Sequence, residues 1–364
     1  MAGADLDGKG RYMGHVMTVR GPLDPELLGP TLTHEHIFWD ARNSWDPSEL
    51  ENPETGSLPF EPRFGGLARW NGSAFRDDLH QSPETEYQLV ADEVSEFVDA
   101  GGSCIVELSN VGLNPSPDGL RRLSESLGVH IVEGCGFYVH GSHPGWVEDA
   151  SVGEIEAFLQ AEIETGIAGS AIRPGIIGEI GTSETLFPCE QRILQAAARA
   201  ARRTATAVNV HAHPPELPVL MSILDLLEGE GHDLRKTSVS HLDEIADIDY
   251  HVAVIERGIT TGFDSFGQDG YFTPTWKSRS DLAKMTTLVT LIERGYEDQL
   301  VLSQDMGKKH YLLRFGGMGY DHVLCRIVPR LKTSFAVTDR VIEKLLVTNP
   351  RRLLTRERDP EMIA

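Results

Sequence analysis

Short apolar runs alternate with amphipathic stretches almost from end to end of this 364-residue chain, and that alternation limits the fold more than any motif does. Strand-length apolar runs separated by helix-length amphipathic ones are the pattern of βα repeats, and they imply a parallel sheet covered by helices. The runs predict strands at 31–36, 103–108, 129–136, 171–179, 207–212, 237–241, 259–264 and 300–305. Between them the spacing of apolar residues predicts helices, for example Glu84–Ala100, Gly153–Ile167, Glu190–Arg203 and Asp281–Arg294. Eight alternations in one chain suit an α/β fold of the TIM (β/α)8 barrel class better than an open sheet. No Pro/Gly/Ser-rich linker divides the sequence and no internal repeat is visible, so residues 1–364 are read as a single barrel domain.

Two connections are long. Residues 37–83 follow the first strand and carry Trp39, Trp45, Phe60, Phe64, Trp70 and Phe75. Residues 306–335 follow the last and carry Lys308, Lys309, His310, Arg314 and Gly316-Gly317-Met318-Gly319-Tyr320-Asp321. In a βα barrel such loops lie at the C-terminal face, where active sites form. The aromatics of the first loop read equally as a satellite core or as a substrate wall. Lys308, Lys309 and Arg314 offer charge for an anionic substrate group, although a run of charge is more often a solvated face.

Composition narrows the function. A net charge of −22 argues against nucleic acid, because phosphate binding relies on clustered Lys and Arg. No apolar run approaches the roughly 20 residues that a bilayer requires, and Met1–Arg11 lacks the apolar stretch of a secretory signal. The four cysteines, Cys104, Cys135, Cys189 and Cys325, have no paired spacing. Reduced thiols in a cytoplasmic protein acting on a small molecule, as a monomer or a homodimer, are the expectation.

Chemistry enters at the strand ends. The first predicted strand closes on Thr33-His34-Glu35-His36, and alternate residues of a strand face the same way, so His34 and His36 both turn into the barrel mouth. Two imidazoles on one face make half a site for Zn²⁺ or a similar cation. Four later strands close on Glu179, His211, His241 and Asp305. One buried carboxylate or imidazole at such a point is readily a satisfied core group, but six ligand-type side chains ending inward strands are not. His213 repeats the His-x-His pattern after His211 and competes for its role, with Pro214 directly behind it. His140 and His143 lie in a Gly/Pro loop after the third strand and read as solvated or substrate-adjacent.

At this point the sequence resembles the phosphotriesterase family of the amidohydrolase superfamily, particularly its phosphotriesterase-related and lactonase-like members. The resemblance runs from Gly21 to about Leu354. It rests on Leu32-Thr33-His34-Glu35-His36, Gly178-Glu179-Ile180-Gly181-Thr182-Ser183, Val301-Leu302-Ser303-Gln304-Asp305, Gly316–Asp321 and Asn349-Pro350. It implies two divalent metal ions per chain, Zn²⁺ first, with Mn²⁺, Co²⁺ or Fe²⁺ as alternatives. By the resemblance, His34, His36 and Asp305 bind the more buried ion, His211 and His241 bind the second, and Glu179 bridges the two. Better-known members bridge with a carboxylated lysine. Two ions bring four positive charges, and Glu179, Asp305 and a bridging hydroxide remove three, leaving an electrophilic centre. Metal contact lowers the pKa of water from about 15.7 toward ~7, so hydroxide is available to attack a carbonyl or phosphoryl centre. Asp305 would take the proton and pass it to the leaving group. Tyr138 looks like the tyrosine that lactonase members place beside the metals, where it would hydrogen-bond a substrate oxygen. Those lactonases carry Arg after the strand-seven Asp, whereas Ser265 follows Asp264 here.

The leading expectation is therefore a metal-dependent hydrolase of esters or lactones. Amide (N-acyl) and phosphotriester hydrolysis are the alternatives for the same binuclear site. A mononuclear deaminase-like enzyme would have no use for Glu179, and a non-catalytic binding protein would have none for Asp305.

Overall fold

The structure is a computed structural model and describes residues 14–45, 53–212, 216–270 and 278–357. Eight parallel strands form one sheet: β1 (Thr31–Glu35), β2 (Cys104–Glu107), β3 (His130–Cys135), β4 (Ile176–Thr182), β5 (Ala207–Ala212), β6 (Thr237–Val239), β7 (Thr260–Phe263) and β8 (Leu300–Leu302). They pair in sequence order from β1 to β8. The helices between them are α1 (Tyr87–Asp99), α2 (Pro117–Leu127), α3 (Val152–Thr165), α4 (Pro188–Thr204), α5 (Leu217–Gly229), α6 (Ile248–Ile255) and α7 (Asp281–Glu293). After β8, a further helix, α8 (Val328–Phe335), follows a π-helical turn at Val323–Ile327. Among the described residues no helix is long and apolar enough to cross a membrane.

Local sequence explains the packing. In α1, Val90, Val94 and Phe97 fall at i, i+4 and i+7, so one stripe meets Ile105 of β2 and Ile131 of β3 in a shared core. In α4, Ile193, Leu194, Ala197 and Ala201 meet Ile177 and Val208, and the alanines allow the helix to lie close to the sheet. Ser151 and Glu154 form a capping box that starts α3. A feature absent from the sequence reading is a small antiparallel sheet of Gly14–Thr18, Gly21–Leu23 and Arg356–Glu357. It puts Val16 into the apolar cluster of Cys104, Val106, Val132, Ile176 and Ala207, which plugs the end of the barrel where the strands begin.

The predicted strand at 171–179 is corrected: β4 starts at Ile176, so Glu179 stands inside the strand rather than at its end. Pro174 and Gly175 break the run, and Gly175 lies so close to the Met17 carbonyl that a Cβ there would stand 2.4 Å from it. Two glycines then frame the acid. Gly178 has φ +151° and packs on Asn209, while a Cβ on Gly181 would stand 2.3 Å from the Tyr138 carbonyl carbon and the Val139 nitrogen. The Gly-Glu-Ile-Gly motif thus reflects the close approach of two neighbouring strands around one inward carboxylate.

The first long loop resolves in favour of a satellite core for part of its aromatics. Phe60, Ala68, Ala74 and Phe75 form a separate apolar cluster with Phe64 and Phe315 against it. Trp70 remains exposed.

The barrel closes between β8 and β1 through a side chain. The buried Glu35 carboxylate accepts from Ser303 Oγ (2.6 Å), Gln304 N (2.9 Å) and Met306 N (3.0 Å). Ser303 Oγ in turn accepts from His34 N (2.9 Å), and Asp305 N donates to His34 O (3.1 Å). Burial raises the Glu35 pKa to about 8 against the opposing pull of these donors. Removing the carboxylate strands three buried donors, each worth about 1–3 kcal/mol when unsatisfied. Glu35→Ala is therefore expected to lose at least about 2 kcal/mol of stability in urea unfolding, and Glu35→Gln, which keeps one acceptor, to lose less. An alanine variant as stable as wild type would mean that the seam closes without this side chain.

Candidate metal centre

All six predicted ligand side chains come together at the C-terminal end of the barrel. His34 Nε2 lies 3.4 Å from Glu179 Oε2 and 3.7 Å from Asp305 Oδ1. His36 Nε2 lies 3.3 Å from Glu179 Oε1 and 3.2 Å from Asp305 Oδ1. On the other side of Glu179, His211 Nδ1 is 2.7 Å from Oε2 and 3.1 Å from His241 Nε2. The donors therefore fall into two groups that share Glu179: His34 and His36 on one side, with Asp305 against both, and His211 and His241 on the other. This arrangement suits two cations with a carboxylate between them.

Backbone conformation aims two of these groups. His241 and Asp305 stand just past the ends of β6 and β8, shorter than the strands predicted at 237–241 and 300–305, with φ of +61° and +53°. A left-handed conformation in a non-glycine residue costs of the order of 1 kcal/mol and persists where surrounding contacts hold it. For His241 the contact is Asp264, whose Oδ1 accepts from its backbone N (2.7 Å) and lies 3.0 Å from its Nδ1.

The far nitrogens of the imidazoles are also held. His34 Nδ1 lies 2.8 Å from Ser240 Oγ and 3.2 Å from Asp264 Oδ2, and His36 Nδ1 lies 2.9 Å from Ser109 Oγ. Each contact fixes a ring with Nε2 facing the centre, which is how metal-binding histidines are oriented. Ser240 is itself bound by Asn209 Nδ2 at 2.9 Å. The Asn110 side-chain amide donates to the backbone oxygen of Glu179. Ser109, Asn110, Ser240 and Asp264 were not identified as site residues from the sequence. Only their positions, one to three residues beyond strand ends, could have flagged them.

A test of fit is the state of the donor atoms without a cation. His34 Nε2 is fully buried and makes no hydrogen bond. Burial opposes charge on His36, yet its contacts with Asp305 and Glu179 raise its pKa to about 10. His34 and His241 are also raised by their acidic neighbours in spite of burial. Burial pushes the Asp305 carboxyl up, but the three imidazoles bring it down to about 2, and Glu179 is likewise held well below the usual range. Imidazole nitrogens and carboxylates converge where a divalent cation would take the place of the protons they share, so the donor set fits the metals and supports a metal-dependent hydrolase.

The remaining predicted residues separate. Tyr138 is half-buried with its ring edge-on to His211, centroids 5.0 Å apart. His143 Nε2 lies 2.6 Å from the Tyr138 carbonyl oxygen and so braces that loop. Lys309 is not part of a solvated face: it is buried, 3.2 Å from Asp77 Oδ1 and 2.7 Å from Glu86 Oε1. Arg314 is exposed, with its backbone N–H on Glu93. Lys308 is half-buried. His213 and Pro214 lie outside the described residues. The Gly316–Asp321 motif serves the site indirectly, since the buried Tyr320 hydroxyl donates to the His36 carbonyl at 2.8 Å.

Two measurements check this centre. Because their acidic neighbours favour the protonated forms of His34, His36 and His241 when no cation is bound, binding must release protons, so affinity should rise with pH up to the His36 pKa of about 10. Calorimetry in buffers of different ionisation enthalpy should show proton release at neutral pH; affinity that does not change with pH would contradict it. Glu179→Gln removes the shared negative charge and should cut bound metal from about two ions per chain to about one; unchanged metal content would exclude a bridge.

A model of the Phosphotriesterase family matches residues 14–354. The chain is 33% identical over 348 residues to the N-acetyltaurine hydrolase of Tetraodon nigroviridis, covering 94% of this chain and 98% of that protein. Among solved structures, a resiniferatoxin-binding protein from Rhodobacter sphaeroides is similar with a TM-score of 0.88 at 33% identity, covering 94% of this chain and 95% of the other. A lactonase from Listeria monocytogenes shares the fold, with a TM-score of 0.76 at 23% identity, covering 94% of this chain and 100% of the other. The family match spans every strand of the barrel and all six converging donors, and the chain belongs to the phosphotriesterase family.

Proposed function

We propose that this protein hydrolyses the amide bond of a small N-acyl compound, with N-acetyltaurine the first candidate. The observation that carries the reading is 33% identity, over nearly the full length of both chains, to an N-acetyltaurine hydrolase. The sequence alone placed esters and lactones first, and the relatives move the amide alternative ahead of them. Ser265 supports the change: it stands where lactonases of the family carry Arg, and its hydroxyl is buried, 2.8 Å from both Asp243 Oδ2 and Glu244 Oε1. That side chain is committed to the scaffold and offers nothing to a lactone ring.

Two divalent cations, Zn²⁺ first, would be held by His34, His36 and Asp305 on one side and by His211 and His241 on the other, with Glu179 between. When bound they supply Lewis acidity and acidify water. The chain's own residues do the rest. Glu179 is 1% exposed, whereas the Asp305 side chain is 26% exposed, so Asp305 is the carboxylate that faces an incoming substrate. It can take the proton of the attacking water and give it to the amide nitrogen, a poor leaving group until protonated. Tyr138, beside His211, is placed to hydrogen-bond the substrate oxygen. We place the enzyme in the cytoplasm, acting on a small molecule.

Asp305→Asn keeps size and an oxygen donor but cannot accept the proton. It should retain much of its metal and lose kcat on amides by at least about 10²-fold, with a smaller loss on esters that have good leaving groups. A variant holding both metals and cleaving amides at the wild-type rate would exclude Asp305 as the proton carrier. Substrate class is read by a kcat/KM panel of N-acetyltaurine, other N-acyl amino compounds, lactones and phosphotriesters. N-acyl compounds should lead by at least about tenfold, equivalent to about 1.4 kcal/mol of transition-state preference. Lactones leading by that margin would restore the ester reading.

A further inference from the structure

Outside the barrel centre, a second kind of ligand cluster is present. One donor atom each from His140, Glu148 and Cys189 lies within 4.8 Å of the other two. His140 and Glu148 belong to the loop after β3, and Cys189 is the second residue of α4. We propose that these three side chains bind a further divalent cation, of the Zn²⁺ type, that staples the loop after β3 to the start of α4.

The donor chemistry fits. Thiolate, imidazole and carboxylate together are a Zn²⁺ set, with bonds of about 2.0–2.3 Å and tetrahedral ligand–ligand edges of about 3.3–3.7 Å. His140 Nε2 and Glu148 Oε2 are already 3.4 Å apart. Cys189 is fully buried beside Glu148, whose side chain is 60% exposed. Small rotations of Glu148 therefore draw the trio together, and its exposure leaves room for water as a fourth ligand.

The frame is built beforehand. Glu190 is fully buried, and its carboxylate accepts from His140 N (3.3 Å), Ser183 N (3.0 Å), Ser183 Oγ (2.7 Å) and Phe187 N (2.9 Å). One carboxylate thus locks the backbone of the His140 loop to the helix start that carries Cys189. The His140 ring stacks on Phe187 with centroids 4.0 Å apart, which fixes the direction of Nε2. His143 Nδ1, in the same loop, is buried without a hydrogen-bond partner among the described residues, its ring 5.9 Å from that of His140. Binding exchanges the Cys189 proton for the cation and releases that proton to solvent. Because Tyr138 begins the same loop, the staple would hold the ring that packs on His211 without touching the reacting atoms.

Sulfur makes the site testable apart from the barrel centre, which has no sulfur donor. Chelator-treated protein in a Cys325→Ser background, which removes the exposed thiol, is titrated with Co²⁺. A near-ultraviolet thiolate-to-Co²⁺ charge-transfer band should appear and be lost in Cys189→Ser. Elemental analysis of the Zn²⁺-loaded protein should give one ion per chain more than the Cys189→Ser variant. Should Cys189→Ser fail to fold, His140→Ala and Glu148→Gln, both at accessible positions, should weaken the Co²⁺ affinity of the band by at least about tenfold. No band at saturating Co²⁺, or a band that survives in Cys189→Ser or is unmoved by both other variants, overturns the proposal.

Discussion

The Glu179 carboxylate, sunk in the barrel among three imidazoles, is the contact on which the rest of the site depends. Burying an ionised carboxylate costs several kcal/mol unless partners surround it. Here Oε1 meets His36, and Oε2 meets both His34 and His211. Those rings in turn must be held, and the groups that hold them lie on β2, β6 and β7 or just beyond: Ser109, Ser240 and Asp264. The charge of one side chain on β4 thus reaches, through its contacts with the imidazoles and the hydrogen bonds behind them, strands across the barrel. Such networks are stable when complete and costly when partly satisfied. The buried His34 Nε2, in ion-pair contact with Glu179 but without a hydrogen bond, marks the place where the protein alone leaves this one incomplete.

Closure of the barrel and assembly of the centre are the same event at one place. Ser303 accepts from the backbone of His34 while donating to Glu35, and Asp305 N donates to the His34 carbonyl. The register of β8 against β1 therefore sets the spacing between Asp305 and the two histidines. A further buried group, Lys284, lies on α7 2.9 Å from Glu244 Oε1 and donates to the Ser265 carbonyl. It fixes the segment that carries Asp264 and Ser265 against the helix, so that the orientation of His34 and His241 is supported from outside the sheet.

The barrel and the six donors were legible because each leaves a local trace. Apolar runs of strand length reveal strands, and a lone acid or histidine at the end of such a run stands out. What was not legible depends on contacts distant in sequence. Glu35 sits inside the Thr33-His34-Glu35-His36 motif, yet its role requires residues 303–306, some 270 positions away. Asp264 was visible only as the residue before Ser265, since nothing local reveals that it holds two histidines. The start of β4 was misplaced because Ile172 is apolar and buried like a strand residue, while the Pro174-Gly175 break follows it. Lys309 looked like part of a surface run because its partners are remote in sequence: Asp77 in the other long loop and Glu86 at the start of α1.

Two carboxylates in one centre can share the chemistry only if their surroundings differ, and here they do. Glu179 has no access to solvent and is flanked by rings on both sides, so any proton it took would have nowhere to go. Asp305 turns Oδ1 to the imidazoles and keeps about a quarter of its side chain open, with Gln268 Nε2 3.4 Å from Oδ2. In the proposed reaction it would face both the water that loses a proton and the group that gains one. An amide depends on that second transfer more than an ester or lactone does, because an amine must be protonated before it leaves. A centre that divides a buried, fixed carboxylate from an open one would therefore suit the more demanding bond, in keeping with the amide hydrolysis proposed above.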